Sequence, residues 1–157
     1  MHLPRVASTE GFTLLETVVV VGILLIIITL ALDGMRSFRE SSSLDQATDE
    51  SLGLLREARE KTLAAEGGSA WGVHFTVGSV TLFRGGIYDT NDPSNNTVFV
   101  PSAVAASSIN LTTTTASVVF DRLTGASPVT GTITFTGLRS GKTKRIQIFS
   151  SGLSAKQ

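Results

Sequence analysis

The sequence contains no cysteine, only two histidines and one tryptophan, and no excess charge of either sign. The missing cysteines exclude a disulfide-stapled secreted domain, cysteine-ligated zinc, iron–sulfur clusters and a thiol nucleophile. Thirteen Lys and Arg against thirteen Asp and Glu exclude a chain that coats nucleic acid through overall positive charge. The low net charge also argues against a disordered chain. What remains is 157 residues, about one domain, with its apolar residues unevenly distributed.

The apolar residues concentrate in one run near the N-terminus. Fifteen of the 21 residues from Phe12 to Leu32 are Phe, Leu, Val or Ile. As a helix this run is roughly 31 Å long, enough to cross a bilayer core of ~30 Å. A secretory signal peptide would have a shorter core followed by an Ala-x-Ala site, and none follows Leu32. The run predicts one membrane span, and Arg5 favours a cytoplasmic N-terminus.

One ionisable residue, Glu16, stands near the start of this run. A carboxylate near the end of a spanning helix costs less than one at its centre, so insertion tolerates Glu16 but does not explain it. An ionisable group in a membrane segment is by default a functional candidate whose partner must be identified. The alternative is that the side chain merely snorkels to the interface.

The hexapeptide Gly11-Phe12-Thr13-Leu14-Leu15-Glu16 resembles the class III signal of type IV prepilins and pseudopilins. In that family a prepilin peptidase of the membrane cuts after the glycine and N-methylates the new N-terminal phenylalanine. The resemblance implies cleavage between Gly11 and Phe12, which makes 1–11 a leader. It also implies that Glu16 pairs with the Phe12 α-amine of a neighbouring subunit and sets the register of assembly. Such a pair is favoured over two unpaired charges in a low-dielectric environment.

Beyond the apolar run the sequence stays helix-forming up to Glu66. Residues 33–66 are polar and contain no proline, and Gly67-Gly68 is a strong stop signal. Small and apolar residues recur at helical spacing, which places them on one face: Leu44, Ala47, Leu55, Ala58, Thr62 and Ala65. The pattern predicts a spanning segment 12–32 that continues as an amphipathic segment 33–66.

After Gly68 the periodicity changes from helical to alternating. Trp71, Val73, Phe75 and Val77 alternate with smaller or polar residues, and similar short runs recur to Ile148. They predict six or seven strands in a β-rich domain over 69–157, with Thr112–Thr115 as an exposed strand or loop. A domain this small needs the apolar face of the helix to complete its core. We therefore expect an α+β fold in which one long N-terminal helix packs on a small antiparallel β domain, which the resemblance to prepilins implies is pilin-like.

The second half also resembles the GspH/FimT subfamily of minor pseudopilins and pilins, less specifically. The matching residues are Trp71-Gly72-Val73, Val119-Phe120-Asp121 with Gly125, the strand at Gly131–Thr134, and Ile146 with Gly152-Leu153. The resemblance implies a minor subunit of a type II secretion pseudopilus or a type IV pilus, structural or at its tip or initiation point. Its partners would be prepilin peptidase, other pilins in a hetero-oligomeric filament, and the bacterial inner membrane. After cleavage it would join a periplasmic pseudopilus or a pilus.

Few residues in the sequence suggest catalytic chemistry. His74 could in principle serve a Ser-His-Asp triad, but no nucleophile-elbow sequence surrounds it, and an ordinary polar position on a strand is the simpler interpretation. The loop from Asp89 to Asn96 offers oxygen donors for calcium, without the Gly and Glu of a helix–loop–helix calcium site. We expect no enzyme activity and no cofactor, and calcium at this loop stays open.

Charge is polarised along the chain. From Arg122 to the C-terminus there are six basic residues and no acidic one, whereas residues 33–66 carry eight acidic and five basic residues. Arg139, Lys142, Lys144 and Arg145 lie close together in sequence and could meet phosphates. In the FimT-like branch a basic C-terminal region takes up DNA, so the resemblance implies DNA uptake as an alternative function. The other interpretation is a solvated surface that complements the acidic helix of a neighbouring subunit.

Overall fold

The computed structural model describes residues 13–157, so the predicted leader and Phe12 lie outside the described residues. The helix α1 is Leu14–Leu63, and a short 3-10 helix follows at Glu66–Gly68. The strands are β1 (Trp71–Phe75), β2 (Ser79–Arg84), β3 (Asn96–Phe99), β4 (Val104–Leu111), β5 (Ser117–Val119), β6 (Gly131–Gly137), β7 (Thr143–Ile148) and β8 (Ser154–Lys156). The chain divides into two compact units, one ending at Ser37 and one running Phe38–Gln157.

The eight strands of the second unit form two four-stranded antiparallel sheets. Their orders are β3-β2-β1-β5 and β4-β6-β7-β8. Val73 of β1 lies opposite Leu82 of β2 and Val118 of β5, and Ile133 of β6 lies opposite Ile146 of β7. All five side chains are fully buried and belong to one hydrophobic core that also includes residues of α1. The predicted α+β fold, a long helix on a small antiparallel β domain, is confirmed.

The second half of α1 contributes one face to this core. Leu44, Ala47, Leu55, Ala58 and Thr62 are all buried, as the helical spacing predicted. Thr48, Ser51 and Thr62 are hydroxyls on or beside this face, and each donates at 2.7 Å to the carbonyl oxygen four residues earlier. Their polar groups are therefore satisfied without leaving the apolar environment.

The helix ends three residues before Glu66, where the composition had placed its end. Ala65 adopts a left-handed conformation with φ of 51°, and Gly67 and Gly68 also have positive φ. Because Ala65 lies beyond the last helical turn, helical spacing no longer places it on the buried face, and its side chain is exposed. The prediction that Ala65 shares the buried face is wrong for this reason.

Trp71 anchors the first strand to the end of the helix. Its backbone N–H donates to Thr62 Oγ1 at 2.9 Å, and its indole N–H donates to the Glu66 carbonyl at 3.1 Å. The Lys61 ammonium lies 4.5 Å from the centre of the ring, within the range of a cation–π contact. β1 therefore starts beside the end of α1.

Two of the eight strands, β4 and β8, were not predicted from the sequence patterns. β4 reads VAASSINL, in which alanine, serine and asparagine replace β-branched residues, and its register with β6 shifts between Ala106 and Ser108. β8 has three residues and is defined by its pairing with β7. Thr112–Thr115 forms the loop between β4 and β5, one of the two forms expected for it.

Candidate assembly helix and basic strands

The first half of α1 presents an apolar surface that nothing else among the described residues of its unit, 13–37, covers. Every Leu, Val and Ile from Leu14 to Leu32 is 47 to 84% exposed. By length and composition α1 could cross a membrane, and it is the one helix of residues 13–157 with this property. Soluble proteins rarely expose a contiguous apolar surface of this size, which marks a membrane or protein contact. The described part of this segment is therefore built to be surrounded by lipid or by other helices.

Thr13 caps the start of this helix, a feature the sequence interpretation missed. Its hydroxyl oxygen accepts the Glu16 N–H at 3.2 Å, and its carbonyl accepts the Thr17 N–H at 3.1 Å. A threonine followed three residues later by glutamate is the pattern of a capping box. The carboxylate of Glu16 also lies in the first turn, where the helix dipole favours negative charge. Glu16 thus has a local structural role besides the pairing predicted for it.

The predicted processing site lies outside the described residues. Gly11 and Phe12 flank the expected cleavage, and the Phe12 amine is the expected partner of Glu16. Glu16 itself is described and is exposed on α1. The cleavage, the methylation and the Glu16 pairing therefore stay predictions.

Two of the C-terminal cations bind the acidic helix of their own chain. Lys144 and Lys156 both pair with the Asp45 carboxylate, and Lys156 Nζ lies 2.8 Å from an oxygen of Asp49 as well. The hydrogen bond from Lys144, followed by that from Lys156, lowers the pKa of Asp45 to about 2. The same contacts, first with Asp45 and then with Asp49, raise the pKa of Lys156. The charge polarity seen in the sequence therefore complements itself within the chain.

The turn between β6 and β7 is held by a buried carboxylate. Glu40 is 6% exposed, and it accepts the backbone N–H of Arg139 at 2.7 Å and of Ser140 at 3.0 Å. These hydrogen bonds, that from Arg139 first, hold the pKa of Glu40 below its ordinary value. Gly137 packs so closely on this carboxylate that a Cβ there would lie 2.9 Å from Glu40 Oε1. The turn is thus fixed to α1 through its backbone, which leaves the side chain of Arg139 free to face solvent.

The four residues predicted for DNA binding do not share one face. Lys144 and Arg145 are neighbours on β7, and neighbouring side chains of a strand point to opposite faces of the sheet. Lys144 points to the helix side and meets Asp45, while Arg145 is exposed. Lys142 lies in the turn, where Nζ is 3.3 Å from the Ser41 hydroxyl, and Arg139 is exposed nearby. Closeness in sequence therefore overstated closeness in space.

His74 lies on β1 at a surface cavity of about 470 Å³. Its Nδ1 is 2.8 Å from the Ser117 hydroxyl, and its ring stacks on Tyr88 with centroids 4.0 Å apart. Burial lowers the pKa of His74 and favours the neutral ring. The remaining lining is apolar or hydroxyl-bearing, without a carboxylate. The pair thus lacks the acidic third member that orients the histidine in a triad.

The loop from Asp89 to Asn96 is organised by its own side chains. An Asp89 carboxylate oxygen accepts the Asn91 N–H at 2.9 Å. An Asp92 carboxylate oxygen accepts the Ser94 N–H at 2.8 Å and the Ser94 hydroxyl at 2.6 Å. The two Ser94 contacts, the hydroxyl first, lower the pKa of Asp92. These are Asx turns, which account for the polar composition of the loop. Over residues 13–157 no cluster of three His, Asp or Glu side chains is suited to a metal ion.

Comparison with known protein families gives a match. The family model described as type II transport protein GspH matches residues 41–152, which contain β1 to β7 and most of the second half of α1. No curated protein and no solved structure matches.

Proposed function

Since the chain belongs to the family of the type II transport protein GspH, we propose that it is a minor structural subunit of a secretion pseudopilus or a type IV pilus. The family supports a type II secretion pseudopilin and association with other pseudopilins. The finer role is our proposal: the chain inserts in the inner membrane, is cut by prepilin peptidase, and joins the filament at its tip or initiation point. It would then act by assembly and would be the substrate of an enzyme.

The observation that carries this proposal is the contrast in burial along α1. The Leu, Val and Ile residues of 14–32 are at least 47% exposed, while the buried residues of 44–62 complete a core. Apolar helices in lipid gain little from the hydrophobic effect when they meet, so packing and specific polar contacts must drive their association. The exposed half is suited to rest in a bilayer and then to exchange lipid for neighbouring helices.

Processing is tested directly by the mass of the mature chain. We expect a product that begins at Phe12, carries one N-methyl group and lacks residues 1–11 when prepilin peptidase is present. A chain that keeps its leader in membranes containing an active peptidase would contradict this part of the proposal. The signal hexapeptide supports this expectation. Its last four residues, from Thr13 to Glu16, form the cap and the first turn of the described helix.

Glu16 is proposed to pair with the Phe12 amine of a neighbouring subunit and so to fix the register of assembly. Glu16→Ala should leave cleavage intact and lower the amount of the chain in the sheared filament fraction. Because Glu16 also follows the Thr13 cap, Thr13→Val serves as the matched control: it weakens the cap without removing the carboxylate. Equal losses in both variants would assign Glu16 to capping, and unchanged incorporation of Glu16→Ala would refute the register role.

DNA uptake remains the alternative function. Arg139, Lys142 and Arg145 are exposed, and among the described residues none of the three takes part in an ion pair. Lys144 should be left unchanged in a test, because its removal would also break the pair with Asp45 and so change two things at once. Micromolar DNA binding that weakens with salt and is lost on reversing the three exposed cations would support this alternative. No binding at low salt would contradict it.

A further inference from the structure

One end of the Phe38–Gln157 unit exposes several large apolar side chains where the chain enters the unit. Phe38 is 75% exposed, Val77 65%, Phe99 77% and Leu138 65%. They belong to four different segments: the helix, the β1–β2 turn, the end of β3 and the β6–β7 turn. Together with Arg39, Arg139 and Lys142 we call these residues the Leu138 surface.

Hydrogen bonds place the helix segment and the β6–β7 turn side by side. Glu40, two residues after Phe38, accepts the backbone N–H of Arg139, the residue that follows Leu138. Lys142, at the other side of the same turn, reaches Ser41 on the next part of the helix. The start of the helix in this unit and the β6–β7 turn are therefore neighbours.

The other two segments connect to this turn through β4. The Leu138 N–H donates to the Ala103 carbonyl at 2.9 Å, just before β4 begins. Three residues later, the Ala106 N–H donates to the Val77 carbonyl at 3.1 Å. The residues after Val77 and Phe99 are joined in turn, since the Val100 N–H donates to the Gly78 carbonyl at 2.9 Å. The four apolar side chains thus come from one connected end of the unit.

The charge of this end is positive. Arg39, Arg139 and Lys142 are exposed, and the turns at 76–78, 99–103 and 137–142 contain no acidic residue. Glu40, the carboxylate closest in sequence, is buried and satisfied by backbone N–H groups. Exposed aromatic and aliphatic side chains beside Arg and Lys form the composition that binds the interface of an anionic membrane.

The chain itself keeps this end near the membrane. Five residues separate Leu32, the last residue of the apolar run, from Phe38, so six Cα–Cα steps join the two. Six such steps span at most about 21 Å even when the chain is fully extended. If the apolar run is held in a bilayer, Phe38 cannot be farther than this from the end of the run, whatever the arrangement of the two units.

We propose that the Leu138 surface rests on the anionic phospholipid headgroups of the membrane that anchors the chain, before the chain joins a filament. This inference rests on the membrane anchoring proposed above. The apolar side chains would enter the headgroup region, and the three cations would face the lipid phosphates. The contact would orient the unit on the membrane and would have to be released on assembly.

The chain offers a matched pair of positions for the test. Leu123 is an exposed leucine beside a basic residue, Arg122, as Leu138 is beside Arg139. Leu123 lies near Ala65, just past the end of α1, and so away from the Leu138 surface. Because the chain has no cysteine, Leu138→Cys and Leu123→Cys each create a single site for an environment-sensitive fluorophore.

The full chain is reconstituted in vesicles of phosphatidylglycerol and phosphatidylethanolamine, or of phosphatidylcholine alone, that contain headgroup-labelled quenching lipid. We expect strong quenching at position 138 in the anionic vesicles, weaker quenching in phosphatidylcholine, and little quenching at position 123 in either. Arg139→Glu combined with Lys142→Glu should weaken the contact by at least about thirtyfold, since two cations near an anionic surface are lost and two negative charges replace them. Arg122→Glu is the control and should change nothing.

Each other outcome overturns the proposal. Equal quenching at positions 138 and 123 would show that the unit does not rest on this end. If quenching at position 138 is the same in both kinds of vesicle and does not change in the double variant, the proposed contact with anionic headgroups is wrong. If the double reversal abolishes DNA binding while position 138 is not quenched, the cations serve DNA instead. Flotation of the vesicles separates these results from a failure of anchoring: a chain that does not float with them contradicts the proposed function as well.

Discussion

The two halves of α1 are one helix with two different environments. In 14–32 nearly every position is apolar and exposed, whereas in 44–62 apolar and small residues keep to one buried face. The first half has no apolar partner among the described residues of its own unit, whereas the second half packs on the two sheets. The comparison shows what each pattern requires. A helix that is apolar all round needs an apolar environment outside its own unit, whereas a helix that is apolar on one face needs a core formed by the same chain.

The largest difference between the halves should come from a buried and an exposed leucine. Leu55→Ala removes a side chain that is 1% exposed and should lower the free energy of unfolding by about 2–5 kcal/mol. Leu25→Ala, at a position 59% exposed, should change it by less than about 0.5 kcal/mol. The measurement is urea unfolding of the full chain in detergent, followed by the fluorescence of Trp71, the sole tryptophan.

A charged replacement in the first half of α1 should affect membrane insertion and not the stability of the second unit. Leu25→Asp should leave the unfolding of the second unit unchanged and reduce membrane insertion, because a central aspartate costs about 2.5–3.5 kcal/mol on the insertion scale. Unfolding that shifts equally in Leu55→Ala and Leu25→Ala would contradict the separation of the two halves.

A smaller difference is expected for two threonines that both donate to the preceding turn. Thr62 donates to the Ala58 carbonyl and accepts the Trp71 N–H, so Thr62→Val leaves a buried donor unsatisfied. The expected loss is about 1–3 kcal/mol in the free energy of unfolding. Thr29→Val, which removes only the contact with the Ile26 carbonyl in the exposed half, should have an effect within about 0.5 kcal/mol. Thermal unfolding by circular dichroism compares the two, and equal midpoints would show that the Trp71 contact does not stabilise the unit.

Much of this architecture could be predicted because its signals are local. The apolar run and the helical spacing of Leu44, Ala47, Leu55 and Ala58 are periodic patterns within one segment, and so is the alternation around Val73 and Phe75. The Thr13 cap also has a local signal, since Thr-x-x-Glu is visible in the sequence. It was missed because the same residues belong to the peptidase motif and were interpreted only as part of it.

The remaining features had no local signal. Lys144 and Asp45 are 99 residues apart in sequence, and Lys156 and Asp45 are 111 residues apart. Charge counts showed that the helix is acidic and the C-terminal strands are basic. They did not show whether the two would pair within one chain or between neighbouring subunits. The opposite directions of Lys144 and Arg145 follow from the pleat of β7, which could be applied only once that strand was located.

The smallest expected effect concerns this ion cluster and depends on pH. The pKa of Asp45 is about 2 in the folded chain, below its ordinary 3.8, so the carboxylate stabilises the fold above about pH 4 and loses this contribution as pH falls toward 2. Asp45→Asn should therefore lower the thermal midpoint slightly at pH 7, by an amount that shrinks in high salt, falls below pH 4 and is lost as the pH passes below about 2. Glu60→Gln, an exposed carboxylate on the same helix and without an ion pair among residues 13–157, is the control. A difference between wild type and Asp45→Asn that persists unchanged at pH 2.5 would show that packing at this position, and not its charge, stabilises the unit.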